Sequence, residues 1–181
     1  MNRPSRLLFF GLTLTVCPIF AVENVDQEIQ AATLVQKGEP AADFTCVDIT
    51  GRQHTLSKLK GKVVVLYFFS ASNPASLVDL GYLESEIFQK LRDKEGFQML
   101  AIGRDYEREE LVKLSGERKL TFPLVADPEQ SLYRRYFMKY VPRTVVVRAD
   151  GTIAYQTSGA DYEKILQLQK VLAHELTFKG P

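Results

Sequence analysis

The feature that most constrains the fold is an unbroken apolar run, VVVLYFF, at residues 63–69. A strand with one solvent-facing side alternates apolar and polar residues, so a run without alternation indicates a strand covered on both faces. Such strands are typical of the middle of parallel or mixed sheets that lie under helices. The run therefore predicts an α/β fold with this segment near the centre of the sheet.

The chain after this run predicts a regular series of helices and strands. Pro74 suits the first turn of a helix, and apolar residues at helical spacing extend that helix to about Lys94. Further strands are expected at 97–103 and 144–148, a polar helix at 107–119, a short helix capped by Asp127, and a last amphipathic helix after residue 161.

The order of these elements predicts the directions of the strands. In the first half, helices join the strands, which makes neighbouring strands parallel. In the second half, Ala149-Asp150-Gly151 is a hairpin turn, which makes the last strands antiparallel. We therefore expect a central mixed β-sheet flanked by helices.

The N-terminus is expected to lie outside this domain. Arg3 and Arg6 precede an apolar run from Leu7 to Val22 that is shorter than the roughly 20 residues of a membrane-spanning helix. This pattern predicts a secretory signal peptide at 1–21, hence export to the periplasm or the cell exterior. Two alternatives stay open: an uncleaved N-terminal membrane anchor, and lipidation at Cys17. Residues 22–37 are read as a short helix or a linker, and residues 38–181 as one domain.

Composition excludes several classes of function. The 181 residues carry a formal net charge of +1, so neither nucleic acid nor another polyanion is an expected partner. His54 and His174 lack the spacing of metal ligands, so we expect no metal and no cofactor. If Cys17 leaves with the signal peptide, Cys46 is the only thiol and no internal disulfide can form.

Several landmarks in order carry a family resemblance. The segment GEPAADFTCVDITGRQHTLSKLKGKVVVLYFFSAS, at 38–72, resembles the opening of exported TlpA-type thiol–disulfide reductases and of AhpC/TSA redoxins. Phe122-Pro123-Leu124, Val141-Pro142-Arg143-Thr144 and Asp150-Gly151 are similar to later landmarks of these families. The resemblance extends from Gly38 to Leu176. It implies a thioredoxin-like fold with an N-terminal extension.

The resemblance also marks a departure from the family pattern. Working reductases carry two cysteines at the positions held here by Asn73 and Ser76, the first attacking as a thiolate and the second resolving the mixed disulfide. An amide is not a nucleophile, and Ser76 has no nearby histidine in the motif to activate it. The pair is interpreted either as capping residues at a helix N-terminus or as ligands for an anion there.

The substrate groove of the family is expected to persist. By resemblance, the Val141–Pro142 bond is cis and lies close to Asn73 and Ser76, and the backbone beside it pairs with an extended substrate segment. Arg143, with Lys139 and Tyr140, is expected to give this groove a basic rim. The resemblance also places Tyr67 where thioredoxins keep a buried aspartate.

Two hypotheses of function follow. The first is a binding or scaffold module without catalytic cysteines, which takes an extended peptide or an envelope protein at Val141, Pro142 and Arg143. The alternative is a thiol-dependent oxidoreductase or peroxiredoxin-like antioxidant that uses Cys46. The strand pattern favours Cys46 as a buried small hydrophobe. The exposure and pKa of the Cys46 thiol discriminate between the two hypotheses.

Overall fold

The computed structural model describes residues 19–159 and 161–177. The predicted signal peptide, including Cys17, lies outside these ranges except for residues 19–21. No helix of the described residues is long and apolar enough to cross a membrane.

One mixed β-sheet forms the centre of the molecule. A small hairpin of β1 (Thr45–Val47) and β2 (Gln53–Thr55) precedes the sheet strands β3 (Val63–Phe69), β4 (Phe97–Arg104), β5 (Leu124–Asp127), β6 (Arg143–Val147) and β7 (Ile153–Ser158). The strand order is β5-β4-β3-β6-β7. β3, β4 and β5 are parallel, whereas β6 and β7 run antiparallel to their neighbours. The predicted mixed sheet is confirmed.

The central position of β3 explains its composition. Val65 and Tyr67 face one hydrophobic cluster, while Leu66 and Phe68 face a second cluster on the other side of the sheet. Every residue of β3 is buried. A strand with two covered faces has no polar positions, which is why the run lacks alternation.

The α-helices are α1 (Ile19–Ala31), α2 (Pro74–Tyr82), α3 (Gln89–Leu91), α4 (Arg108–Arg118) and α5 (Tyr162–Thr177), and a π-helical segment, Leu83–Phe88, joins α2 to α3. Buried residues of α2, α4 and α5 belong to the first cluster, on one face of the sheet. The second cluster, on the other face, takes residues from two 3₁₀ turns, Leu56–Leu59 and Tyr133–Arg135. α4 begins with a capping box between Glu107 and Glu110. The predicted polar helix is therefore confirmed, with its acidic residues in the first turn.

The short helix expected directly after Asp127 lies further along the chain. It is a single 3₁₀ turn, Tyr133–Arg135. The Asp127 carboxylate does accept backbone hydrogen bonds, but from the N–H groups of Leu132 and Tyr133, at 3.0 and 2.8 Å. Asp127 followed by proline predicted that a helix begins at this point. In the structure, the Asp127 carboxylate instead binds the far end of the loop that leads to the 3₁₀ turn.

The N-terminal segment packs against the domain. After α1, the Ala32 carbonyl accepts from the N–H of Met138 at 2.8 Å, and the Leu34 N–H donates to the Tyr136 carbonyl at 2.9 Å. Ala32 and Val35 are buried. Of the two interpretations of residues 22–37, the structure has a helix, followed by an extended stretch tied to the loop before β6.

Candidate functional site

Asn73 joins the start of α2 to the loop before β6. Its Oδ1 accepts from the backbone N–H groups of Ala75 and Ser76, at 3.1 and 3.3 Å, which caps the helix. Its Nδ2 donates to the Val141 carbonyl at 2.7 Å. Both polar atoms of the Asn73 amide therefore have partners within the chain.

The loop before β6 has two unusual backbone features. The Val141–Pro142 bond is cis, and Tyr140 has a φ of 70°. A left-handed φ is uncommon for a bulky side chain and needs support from its surroundings. The Tyr140 carbonyl accepts from the Tyr133 hydroxyl at 2.6 Å, and the Tyr140 hydroxyl donates to Glu28 of α1 at 2.7 Å. Neither Tyr133 nor Glu28 was expected from the sequence to belong to this site.

Ser76 lies in the first turn of α2 with no solvent exposure. Its Oγ has no hydrogen-bond partner among the described residues. The Tyr67 hydroxyl donates to the Ser76 carbonyl at 3.1 Å and to Asp79 Oδ2 at 3.3 Å. Ser76, Tyr67 and Asp79 therefore form a buried polar group directly beneath the helix start.

Asp79 is a site residue that the sequence analysis missed. It is 4% exposed, and this burial raises the pKa of its carboxyl group to about 6. The Tyr67 hydrogen bond opposes the shift, the charge of Asp161 adds to it, and Lys164 opposes it. Asp79 follows Ser76 by three residues, so the two side chains lie on the same face of α2. This spacing could have identified Asp79 as a site residue from the sequence. A carboxyl with a pKa near 6 can exchange a proton close to neutral pH.

Arg143 does not form part of a basic rim, so that expectation is wrong. The residue is 2% exposed, and its guanidinium stacks on the Phe137 ring with 4.0 Å between Cζ and the ring centroid. Nη2 donates to Thr33 Oγ1. Arg143 lies opposite Phe68 in the β3–β6 register, so its side chain points to a covered face of the sheet. Burial lowers its pKa to about 10.

Cys46 is half-buried on β1 rather than fully buried, and it lies opposite His54 on β2. Burial raises the pKa of its thiol to about 11, and the charges of Asp48 and Asp127 add to the shift. His54 is buried, with 2.8 Å between its Nε2 and Asp48 Oδ2, as expected for a satisfied histidine. In the described part of the chain, no group of three potential metal ligands is found.

Comparison with known proteins gives one family and many relatives. The model of the AhpC/TSA family matches residues 37–156. The thiol-disulfide oxidoreductase ResA of Geobacillus thermodenitrificans (strain NG80-2) is 27% identical over 147 residues, which cover 81% of this chain and 79% of ResA. The ResA of Bacillus anthracis is 25% identical over 133 residues, which cover 74% of this chain and 76% of that ResA.

Solved structures show the same fold. A candidate protein disulfide isomerase from Bacteroides thetaiotaomicron matches with a TM-score of 0.78 and 28% identity, covering 81% of this chain and 94% of that protein. A secreted disulfide oxidoreductase of Mycobacterium tuberculosis matches with a TM-score of 0.60 and 21% identity, covering 72% of this chain and 95% of that protein. The predicted thioredoxin-like fold is confirmed.

Proposed function

The chain belongs to the AhpC/TSA family of thioredoxin-like redoxins, and from this premise we propose that it is an exported binding or scaffold module without dithiol chemistry. Its ligand is an extended peptide segment, or an envelope protein that presents one. The segment binds beside the cis-proline at Val141 and Pro142.

The observation that carries this proposal is the state of the two positions where the family resemblance expects thiols. Asn73 caps α2 and holds the Val141 carbonyl, so its side chain has a structural role and no reactive atom. Ser76 is buried and its hydroxyl has no base within hydrogen-bond distance. Neither side chain can form or resolve a mixed disulfide.

The loop beside these residues supports binding by main-chain pairing. Within the described residues, the Val141 N–H has no hydrogen-bond acceptor, so it is available to an extended segment. The Val141 carbonyl is held by Asn73, and a partner that used it would have to displace the amide. Met138 and Tyr140 are exposed on the same loop, 57% and 38% respectively, and give the segment apolar surface.

Insulin reduction in the presence of dithiothreitol tests the proposal. The wild-type protein should not exceed the background rate, because it supplies no dithiol. The double substitution Asn73→Cys with Ser76→Cys should raise the rate above background, since both thiols would occupy the first turn of a helix next to a cis-proline. Turnover by the wild-type protein would overturn the proposal. The single Ser76→Cys variant is the matched control and should stay at background.

The alternative, an oxidoreductase that uses Cys46, is disfavoured by the state of that thiol. The thiolate is the reactive form, and a pKa of about 11 leaves little of it at neutral pH. We expect slow labelling of Cys46 by a thiol reagent near neutral pH in the native protein, and much faster labelling in denaturant. Equal rates in both states would favour the alternative.

Export is supported by the N-terminal pattern of two arginines and a short apolar run, and by the secreted relative from Mycobacterium tuberculosis. Expression of the full chain in a bacterial host, followed by fractionation and mass spectrometry of the N-terminus, tests both export and cleavage near residue 21. A protein that keeps Met1 in the cytoplasmic fraction would contradict export.

A further inference from the structure

A cleft of about 300 Å³ lies between the C-terminal half of α5 and the segment that runs from the π-helical residues through α3. Ligand sites in proteins are concave and mostly apolar, with a few polar groups that orient the ligand. Of the described residues that line this cleft, none belongs to the candidate site at Asn73, Val141 and Pro142. The cleft is therefore a separate candidate for a binding site.

The floor of the cleft is aliphatic. Ile87 and Leu172 line it and are almost fully buried, at 0% and 1% exposure. Leu91 and Leu176 are only partly buried, and Ala173 is exposed, so these three leave apolar surface in contact with water. Covering such surface is favourable, by an amount that grows with each methylene group of the ligand that is also buried. An aliphatic chain therefore suits this floor.

One wall of the cleft comes from the π-helical segment, Leu83–Phe88. Such segments are rare, and they frequently occur at functional sites. The Glu86 carbonyl of this segment accepts from Nε2 of Gln169 on α5, at 3.1 Å. This hydrogen bond joins the two walls, so the cleft is formed before any ligand enters it.

The charges at the rim are unequal. Of the described residues that line the cleft, three are charged: Glu86, Lys90 and Lys94. Lys90 pairs with Glu86, with 2.5 Å between Nζ and Oε2. Lys94 has no ion-pair partner in the described part of the chain. The rim thus has one excess positive charge beside an aliphatic floor, which complements a ligand with one anionic group and an aliphatic chain.

We propose that this cleft binds a free medium-chain fatty acid, with its chain along Leu91, Leu172 and Leu176 and its carboxylate at Lys94. A carboxylate and an ammonium group form a charge-assisted hydrogen bond. The cleft has the volume of about ten water molecules in the liquid, and a methylene group is close to a water molecule in size. One chain of about ten carbons fits this volume, whereas a phospholipid has two longer chains and a large headgroup.

Calorimetric titration of the purified chain with butyrate, octanoate and decanoate tests the proposal. The titrations are made near neutral pH, at constant ionic strength and below micelle-forming concentrations. Decanoate should bind saturably at one site per chain, and about tenfold more tightly than octanoate, because it buries two more methylene groups. Butyrate should not bind measurably. Absence of saturable decanoate binding would overturn the proposal.

Three variants assign the binding to this cleft. Ala173→Phe, at an exposed position of α5, places a ring in the cleft and should weaken decanoate binding by about tenfold or more. Lys94→Gln should weaken decanoate binding by about two- to fivefold, as expected for an exposed ion pair, and leave the binding of decanol unchanged. Lys170→Gln is the matched control, because Lys170 is an exposed lysine of α5 outside the cleft, and it should change neither affinity.

Other occupants of the cleft give different results. Wild-type affinity in Ala173→Phe would show that decanoate binds elsewhere, which overturns the proposal. Decanoate binding that appears only in Phe178→Ser would assign the cleft to the C-terminal residues of the chain itself. Binding to phosphatidylcholine vesicles that Ala173→Phe abolishes would assign it to a membrane surface. Either result would overturn the assignment to a free fatty acid.

Discussion

At the scale of single residues, Asn73 shows how one side chain can serve two parts of the site. It occupies the position where the family resemblance expects the attacking thiol. Its amide provides both an acceptor for the start of α2 and a donor for the loop before β6. Aspartate could not supply both, because an ionised carboxylate accepts hydrogen bonds but donates none.

Substitutions at Asn73 separate these two contributions. Asn73→Ala removes the helix cap and leaves the Val141 carbonyl without its partner, so the free energy of unfolding should fall by about 1–2 kcal/mol. Asn73→Asp keeps the capping acceptor and loses only the donor, so it should lie between alanine and the wild type. Urea denaturation monitored by circular dichroism gives both values. An alanine variant as stable as the wild type would contradict the bridging role.

At the scale of elements, the contact between α2 and β3 carries an ionisable group inside the core. Asp79 on α2 meets Tyr67 on β3, and the start of α5 contributes the nearby charges of Asp161 and Lys164. A buried carboxyl is more easily accommodated neutral than charged. The packing of these elements should therefore depend on pH.

Asp79→Asn tests this dependence. A pKa raised from 3.8 to about 6 means that the folded state holds a proton which the unfolded state has released, so stability falls as pH rises through that window. As pH rises through this window, the wild type should lose about 3 kcal/mol of unfolding free energy relative to Asp79→Asn, which has no proton to release there. Denaturation at a series of pH values measures it. Asp93→Asn, at a 94% exposed side chain, is the control and should show no such trend.

At the scale of the whole molecule, the N-terminal segment is tied to the same edge of the sheet as the candidate site. Glu28 accepts from Tyr140, and Thr33 accepts from Arg143. The Ala32 carbonyl pairs with the N–H of Met138. These contacts join residues that are far apart in the chain, so the cis-proline loop and the segment after α1 should lose structure together.

Thr33→Val tests this connection with an isosteric change. Valine keeps the shape but removes the acceptor of a buried guanidinium, so unfolding free energy should fall by about 1–3 kcal/mol. Thr33→Ser keeps the hydroxyl and should cost less than valine. Thermal unfolding of both variants gives the comparison. A valine variant as stable as the wild type would contradict a stabilising role for the hydrogen bond between Thr33 and Arg143.

More of the fold than of the candidate site could be predicted from the sequence. The mixed sheet and the central place of β3 followed from periodicity, because burial on two faces excludes polar residues from a strand. The polar helix α4 followed in the same way from its local pattern of charged and apolar residues. The proximity of Asn73 to Val141 followed only from the family resemblance, since nothing local to either residue indicates the other.

The sequence by itself therefore determined the order of elements, the β3 core and the absence of cysteine at positions 73 and 76. The tertiary structure alone decided that Arg143 is buried on Phe137 instead of solvated at a rim, and that Asp79 is enclosed by Tyr67. It also decided that the N-terminal segment covers the loop before β6. The physical reason is that the periodicity of apolar residues shows which face of a helix or strand is buried, but not which residues contact a given side chain. The partners of a single charged side chain come from elements distant in the chain, and only their packing specifies them.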